Sequence, residues 1–134
     1  MKLAALALAL AAALPSSATP APPRAAARPK IVTVTVVMQD RHFRPNVIQL
    51  TRNRPTRMVL VNRDVSGHNF DAQGFLDACD DVHASAPFSD GVLPVPSQST
   101  VSLYVTPRVA RPFDLKSSVA LDVASGMTGQ VLVY

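Results

Sequence analysis

Three histidines, one cysteine, four methionines and nine acids, all of them aspartate, are the side chains with which this 134-residue chain could hold a metal or move a proton. His68 follows a turn-like Asp64–Gly67 stretch and opens the run His68-Asn69-Phe70. Met127 sits in Gly126-Met127-Thr128-Gly129, just before the terminal apolar run Gln130–Tyr134. An imidazole and a thioether so far apart meet only if the fold brings an early turn and a late loop to one place. Each also has a plainer reading, His68 as a capping or core histidine and Met127 as core. Cys79 and His83 are four positions apart, so on a helix they would share a face. Such a pair supplies half a copper or zinc site; the alternative is a buried, inert thiol. His42, beside Phe43, is expected to be exposed and receives no role. No nucleophile–base pattern, Gly-rich phosphate loop or paired-carboxylate site occurs, which points away from an enzyme.

The elements that must position these residues read as β structure from residue 31 onward. Ile31–Met38 is rich in β-branched residues, and Val47–Leu50, Met58–Asn62, Val101–Val105, Phe113–Leu115 and Gln130–Tyr134 form further short apolar or alternating runs. Pro94 and Pro96 mark Gly91–Pro96 as an edge or approach segment, because proline cannot donate to a central ladder. Ala72, Phe75, Leu76, Ala78 and Cys79 recur at near-helical spacing, which leaves room for a short helix in the 72–83 insert. Short strands spaced by turns, with no βαβ alternation and no repeat, predict an all-β sandwich of seven to eight strands.

The N-terminus carries a different signal. Met1-Lys2, the 12-residue Leu/Ala run Leu3–Leu14 and the small residues Ser16-Ser17-Ala18 have the form of a secretory signal peptide. The run is short of the roughly 20 apolar residues that cross a bilayer. Residues 1–18 are therefore read as the signal peptide and 19–30, with four prolines and four alanines, as an extended leader. Residues 31–134 form the domain, with no transmembrane segment in the mature chain. A lone cysteine in an exported protein leaves no internal disulfide. Six arginines fall between Arg41 and Arg63, either as a patch for an anionic partner or as a solvated strand face and turn. No feature points to nucleic acid, and the oligomeric state is left open.

The ordered set Phe43-Arg44-Pro45, Ile48, Val59-Leu60-Val61-Asn62, His68-Asn69-Phe70, Gly126-Met127-x-Gly129 and Val131-x-Val133 resembles the cupredoxins, the blue-copper family of plastocyanin and azurin type. The resemblance implies a Greek-key β-sandwich, copper as cofactor and a periplasmic or secreted location. In that family one early His and a late loop bearing Cys, His and Met hold the metal, with a thiolate in a trigonal plane and a weak axial thioether. Its spacing places Cys ten residues before Met127 and His five before, where this chain has Ser117 and Asp122. The resemblance thus keeps His68 and Met127, loses the thiolate position at Ser117 and offers the carboxylate of Asp122 instead. The expected function is copper-related binding by a reduced, non-blue site, with a copper ion or a redox or copper-handling protein as partner. Two alternatives stand beside it: a metal-free structural or interaction module, and an electron-transfer protein that recruits Cys79.

Overall fold

A computed structural model describes residues 11–134. Residues 11–30 are exposed and belong to no helix or strand. Most of the expected signal peptide's apolar run falls on residues 1–10, outside the described residues. Ten strands follow: β1 (Val32–Gln39), β2 (His42–Arg44), β3 (Val47–Leu50), β4 (Thr56–Asn62), β5 (His68–Asp71), β6 (Cys79–Ala84), β7 (Val92–Val95), β8 (Thr100–Pro107), β9 (Pro112–Lys116) and β10 (Thr128–Val133). Two one-turn helices, α1 (Gln73–Leu76) and α2 (Ala120–Ala124), interrupt them. The strands form two five-stranded sheets in the orders β2-β1-β4-β8-β6 and β3-β10-β9-β5-β7.

The sheets form because the apolar residues alternate. In β4, Thr56, Met58, Leu60 and Asn62 are buried while Arg57 is exposed. In β1 the last inward positions, Val36 and Met38, are fully buried. Ile48, Leu93, Leu103, Leu115 and Val131 meet them between the sheets. In the absence of tryptophan, two edge-on aromatic pairs fill the larger spaces: Phe43 with Phe70 and Phe75 with Phe113.

The strand count exceeds the expected seven to eight, and the 72–83 insert accounts for part of the difference. The helix there spans only Gln73–Leu76. Ala72 at its N-cap offers no side-chain hydrogen bond, and Gly74 lies within the turn, so little sustains a longer helix. From Cys79 the chain instead pairs with the edge of β8, at Cys79, Asp80, His83 and Ala84. The other addition is β2, joined to β1 by Asp40-Arg41. Both residues have positive φ, 53° and 55°, as a two-residue type I′ hairpin turn requires. Pro94 lies in β7, at the edge of its sheet as its chemistry demands.

One end of the sandwich collects the residues of interest. β4 ends at Asn62, beside the start of β8 through the pair Val61↔Thr100. β5 begins there with His68, opposite Val95. Lys116, the last residue of β9, pairs with Asp71, so the loop that follows it runs over the same end.

Candidate functional site

The early turn is built by Asn62. Its buried amide donates to the carbonyls of Ser66, Val95 and Pro96 at 2.9, 3.1 and 3.1 Å, and its Oδ1 accepts the Asp64 N–H at 2.9 Å. This fixes Asp64 in place. The Asp64 carboxylate then accepts the N–H groups of Asp40 at 2.9 Å and Arg41 at 3.0 Å, which holds the two positive-φ residues of the β1–β2 turn.

The late loop closes over this turn through backbone bonds. Met127 N–H donates to the Asp122 carbonyl, and Ser117 N–H donates to the Met127 carbonyl. Gly126, at φ 70°, takes the left-handed position just past the end of α2, where a side chain would be strained. Ser117, Asp122 and Met127 are all buried.

His68 is the meeting point. Its side chain is fully buried; Nδ1 lies 2.6 Å from Asp122 Oδ2 and Nε2 lies 2.8 Å from Asp64 Oδ2. Ionised carboxylates only accept, so bonding both requires a proton on each ring nitrogen, the imidazolium form. Asp122 Oδ2 also accepts the Ser117 hydroxyl at 2.6 Å, and Arg41 Nε stands 3.7 Å from Oδ1. Asn69 N–H donates to Ser117 Oγ at 3.3 Å, and Asn69 Oδ1 accepts the Ser118 N–H at 2.7 Å. Among the described residues every buried side-chain nitrogen and oxygen has a partner. His68 thus lies between two carboxylates, and Arg41, 40% exposed, faces Asp122 from the solvent side at ion-pair rather than hydrogen-bond distance.

Burial alone would push the Asp64 carboxyl up. The N–H groups of Arg41 and Asp40, with the hydrogen bond and charge of His68, outweigh it and hold the group below its ordinary 3.8.

The arrangement has neither the chemistry of a nucleophile nor that of a blue copper centre. Ser117 is buried and its hydroxyl donates to Asp122, a carboxylate that His68 also holds, so its oxygen is turned into the network and away from any surface a substrate could reach. A blue centre needs a thiolate and two imidazole nitrogens. Here the position that the resemblance assigns to the thiolate holds a hydroxyl, the one it assigns to the second imidazole holds Asp122, and both nitrogens of His68 are engaged. The residues present do not fit that group. Among the described residues no cluster of three or more His, Cys, Asp or Glu side chains is arranged to hold a metal ion.

The site residues named from sequence are thus divided in space. His68, Ser117, Asp122 and Met127 come to one end. Cys79 and His83 do not share a helical face, because both lie in β6. Cys79 pairs with Pro107, at the end of β8 away from Thr100, so it stands at the opposite end of the sandwich from His68. It cannot supply the missing thiolate. Its Sγ contacts the Phe75 carbonyl at 3.2 Å, and burial, aided by the charge of Asp80, pushes the thiol up to about 12. His83 stacks flat on Tyr104 with ring centroids 4.6 Å apart. His42 bonds the Asp40 carbonyl. The residue that sequence reasoning missed is Asp64, which in the sequence is one more aspartate in a turn.

The cupredoxin-like domain model matches residues 3–85. Among curated proteins none matches the chain. Solved structures similar to it include auracyanin A, described as a "blue" copper protein from the green thermophilic photosynthetic bacterium Chloroflexus aurantiacus. It is 12% identical over 78% of this chain and 100% of its own, with a TM-score of 0.58. Auracyanin B is 14% identical over 81% and 92%, with a TM-score of 0.57. A reduced amicyanin variant is 16% identical over 76% and 82%, with a TM-score of 0.51. At these identities the likeness is one of fold.

Proposed function

Because the chain belongs to the cupredoxin-like domain family, we propose that it is an exported binding domain which has exchanged the blue copper centre for a buried ionic network and serves as a metal-free interaction scaffold. The observation that supports this reading is the double engagement of His68 by Asp64 and Asp122, at 2.8 and 2.6 Å. A metal would have to displace a carboxylate to reach either nitrogen. Only an unprotonated nitrogen ligates, so the proton would have to leave as well. Export rests on the charged start, the 12-residue apolar run and the small residues at 16–18. It is consistent with the described helices, none of which is long and apolar enough to cross a membrane.

A second reading keeps a reduced, non-blue copper site of His68, Asp122 and Met127 in copper handling. It is favoured by one observation, the bond from Met127 N–H to the Asp122 carbonyl, which ties the thioether residue to the residue that holds His68. Calorimetric titration of Cu(II) into the wild type and His68→Ala, above and below the ordinary histidine value of about 6.5, separates the two. The scaffold reading expects no His68-dependent binding at either pH. Binding that needs His68 and weakens in acid would establish the reduced site instead. N-terminal sequencing of exported protein tests the leader and is expected to begin at Thr19.

A further inference from the structure

β1 has a free edge at the end remote from His68. Val32 N–H donates to the Pro55 carbonyl, on the β4 side. By the alternation of a strand, Val32, Val34 and Val36 direct their backbone groups to β4, while Thr33, Thr35 and Val37 direct theirs away from it. β2 covers that outer edge only over Val37–Gln39. The N–H and C=O groups of Thr33 and Thr35 therefore have no strand partner among the described residues.

Three of the four edge strands carry devices that discourage pairing, and the fourth, β3, is only four residues long. β6 has a bulge between Asp80 and His83, with charges at Asp80 and Asp81. β7 carries Pro94. β2 is three residues long and bears Arg44. The exposed stretch of β1 has none of these. Residues 32–36 read Val-Thr-Val-Thr-Val, strongly β-forming, uncharged and without proline or glycine. Beside them lies a notch of about 250 Å³ whose lining includes Val32, Val34, Leu50 and Tyr134.

We propose that this edge pairs with the same edge of a second copy, in an antiparallel two-fold dimer centred on Val34. The argument is one of self-complementarity. A two-fold axis at Val34 sets each residue opposite its counterpart in the second copy, Thr33 opposite Thr35 and Val32 opposite Val36. Because Val32–Val36 reads the same in both directions, every facing pair is threonine with threonine or valine with valine, the β-branched and hydroxyl pairs that stabilise a sheet, with no charge opposed. The outward backbone groups then match in parity: Thr33 bonds Thr35 of the second copy and Thr35 bonds Thr33, satisfying all the open groups. Val34 faces its own symmetry mate across a non-bonded pair, on the side of the notch, so the partner's valines cover apolar surface that one copy leaves open. The window closes where it must. Past Val36 the edge is taken by Arg44 of β2, and Ile31, which would meet it, lies outside β1 and is 54% exposed, so the chain departs there. The dimer is independent of the function proposed for the His68 end.

A contact of this small size belongs to the weak class of interfaces. Sedimentation equilibrium of the purified protein from about 10 μM to about 1 mM is expected to show the weight-average mass rising toward twice the monomer. Constant monomer mass throughout would overturn the proposal. Thr33→Pro removes an outward N–H and leaves every bond to β4, and it is expected to hold the protein monomeric at all these concentrations. In case that variant misfolds, cysteine cross-linking gives a second test, with the wild type as control for Cys79. Val34→Cys places symmetry-related sulfurs across the non-bonded pair, about 4.5 Å apart at Cα, within the span of a disulfide of roughly 4.4–6.8 Å. Thr35→Cys faces Thr33 instead. Val34→Cys is expected to give a disulfide dimer under mild oxidation and Thr35→Cys to give none. Equal cross-linking of the two, or none by Val34→Cys, would refute the pairing.

Discussion

Nδ1 of His68 lies 2.6 Å from Oδ2 of Asp122, so the residues at the two positions that resemblance assigns to imidazole ligands are bonded to each other. With Nε2 on Asp64, the ring joins the β1–β2 hairpin, the start of β5 and the late loop. Replacing His68 by Ala would leave two buried or half-buried carboxylates facing a void. Removing one partner of a buried charged set costs about 3–5 kcal/mol. Urea unfolding of His68→Ala is expected to show a loss of that order with an unchanged denaturant slope. A loss below about 1 kcal/mol, the scale of a surface pair, would mean that the network is not closed as described.

Asp64 is expected to contribute to the acid limit of stability. Its carboxyl is held below 3.8 in the folded protein, against burial, by the N–H groups of Arg41 and Asp40 and by His68. A carboxyl with a lowered folded value contributes stability that is fully present above the unfolded value and is lost as pH falls through the folded one. The wild type should therefore lose stability as pH drops below about 3.8, the ordinary value for the group. Asp64→Asn should start less stable and show a flatter acid limb. Thermal melts of both proteins across this range test it; parallel curves would show that other carboxyls govern the limb.

How much of this could be read from the chain divides along a physical line. The strands of the sandwich were legible because alternation and β-branching are local properties, as in Thr56–Asn62. The convergence of His68, Ser117, Asp122 and Met127 was legible only through family resemblance, since it depends on contacts between residues as much as 59 positions apart in sequence. Two features were not legible. The insert has near-helical spacing from Ala72 to Cys79, and from Cys79 on the open edge of β8 takes the chain as a strand instead. Asp64 looks like an ordinary turn residue, and its role appears only once the β1–β2 hairpin is packed against it.

Cys79 should behave as an inert thiol. Burial, with the neighbouring Asp80, pushes it up to about 12 from 9.0. A thiol raised in the folded state contributes stability below the unfolded value and loses that contribution as pH rises through the folded one. Reaction with a thiol reagent at mildly alkaline pH, below 9.0, is expected to be slow for the native protein and prompt once it is unfolded in urea. Equal rates would show that the contact of Sγ with the Phe75 carbonyl does not shield it.

The last prediction concerns what separates this site from a blue one. Asp122 binds Nδ1 of His68 and stands where the resemblance places the second imidazole. Asp122→His therefore restores one ligand type and releases a ring nitrogen in a single change. Ser117→Cys restores the thiolate position, on a backbone already bonded to the Met127 carbonyl at 3.1 Å. The double variant is expected to bind Cu(II) and show the intense visible thiolate-to-copper absorption of a type-1 site. Asp122→His alone should not show it, lacking sulfur, and Ser117→Cys alone should show it weakly or not at all while Asp122 still holds His68. Visible titration with copper distinguishes these outcomes. If the double variant folds, keeps its thiol and stays colourless, the late loop does not hold residues 117 and 122 in ligand geometry, and the loss of the centre involves more of the backbone than two side chains.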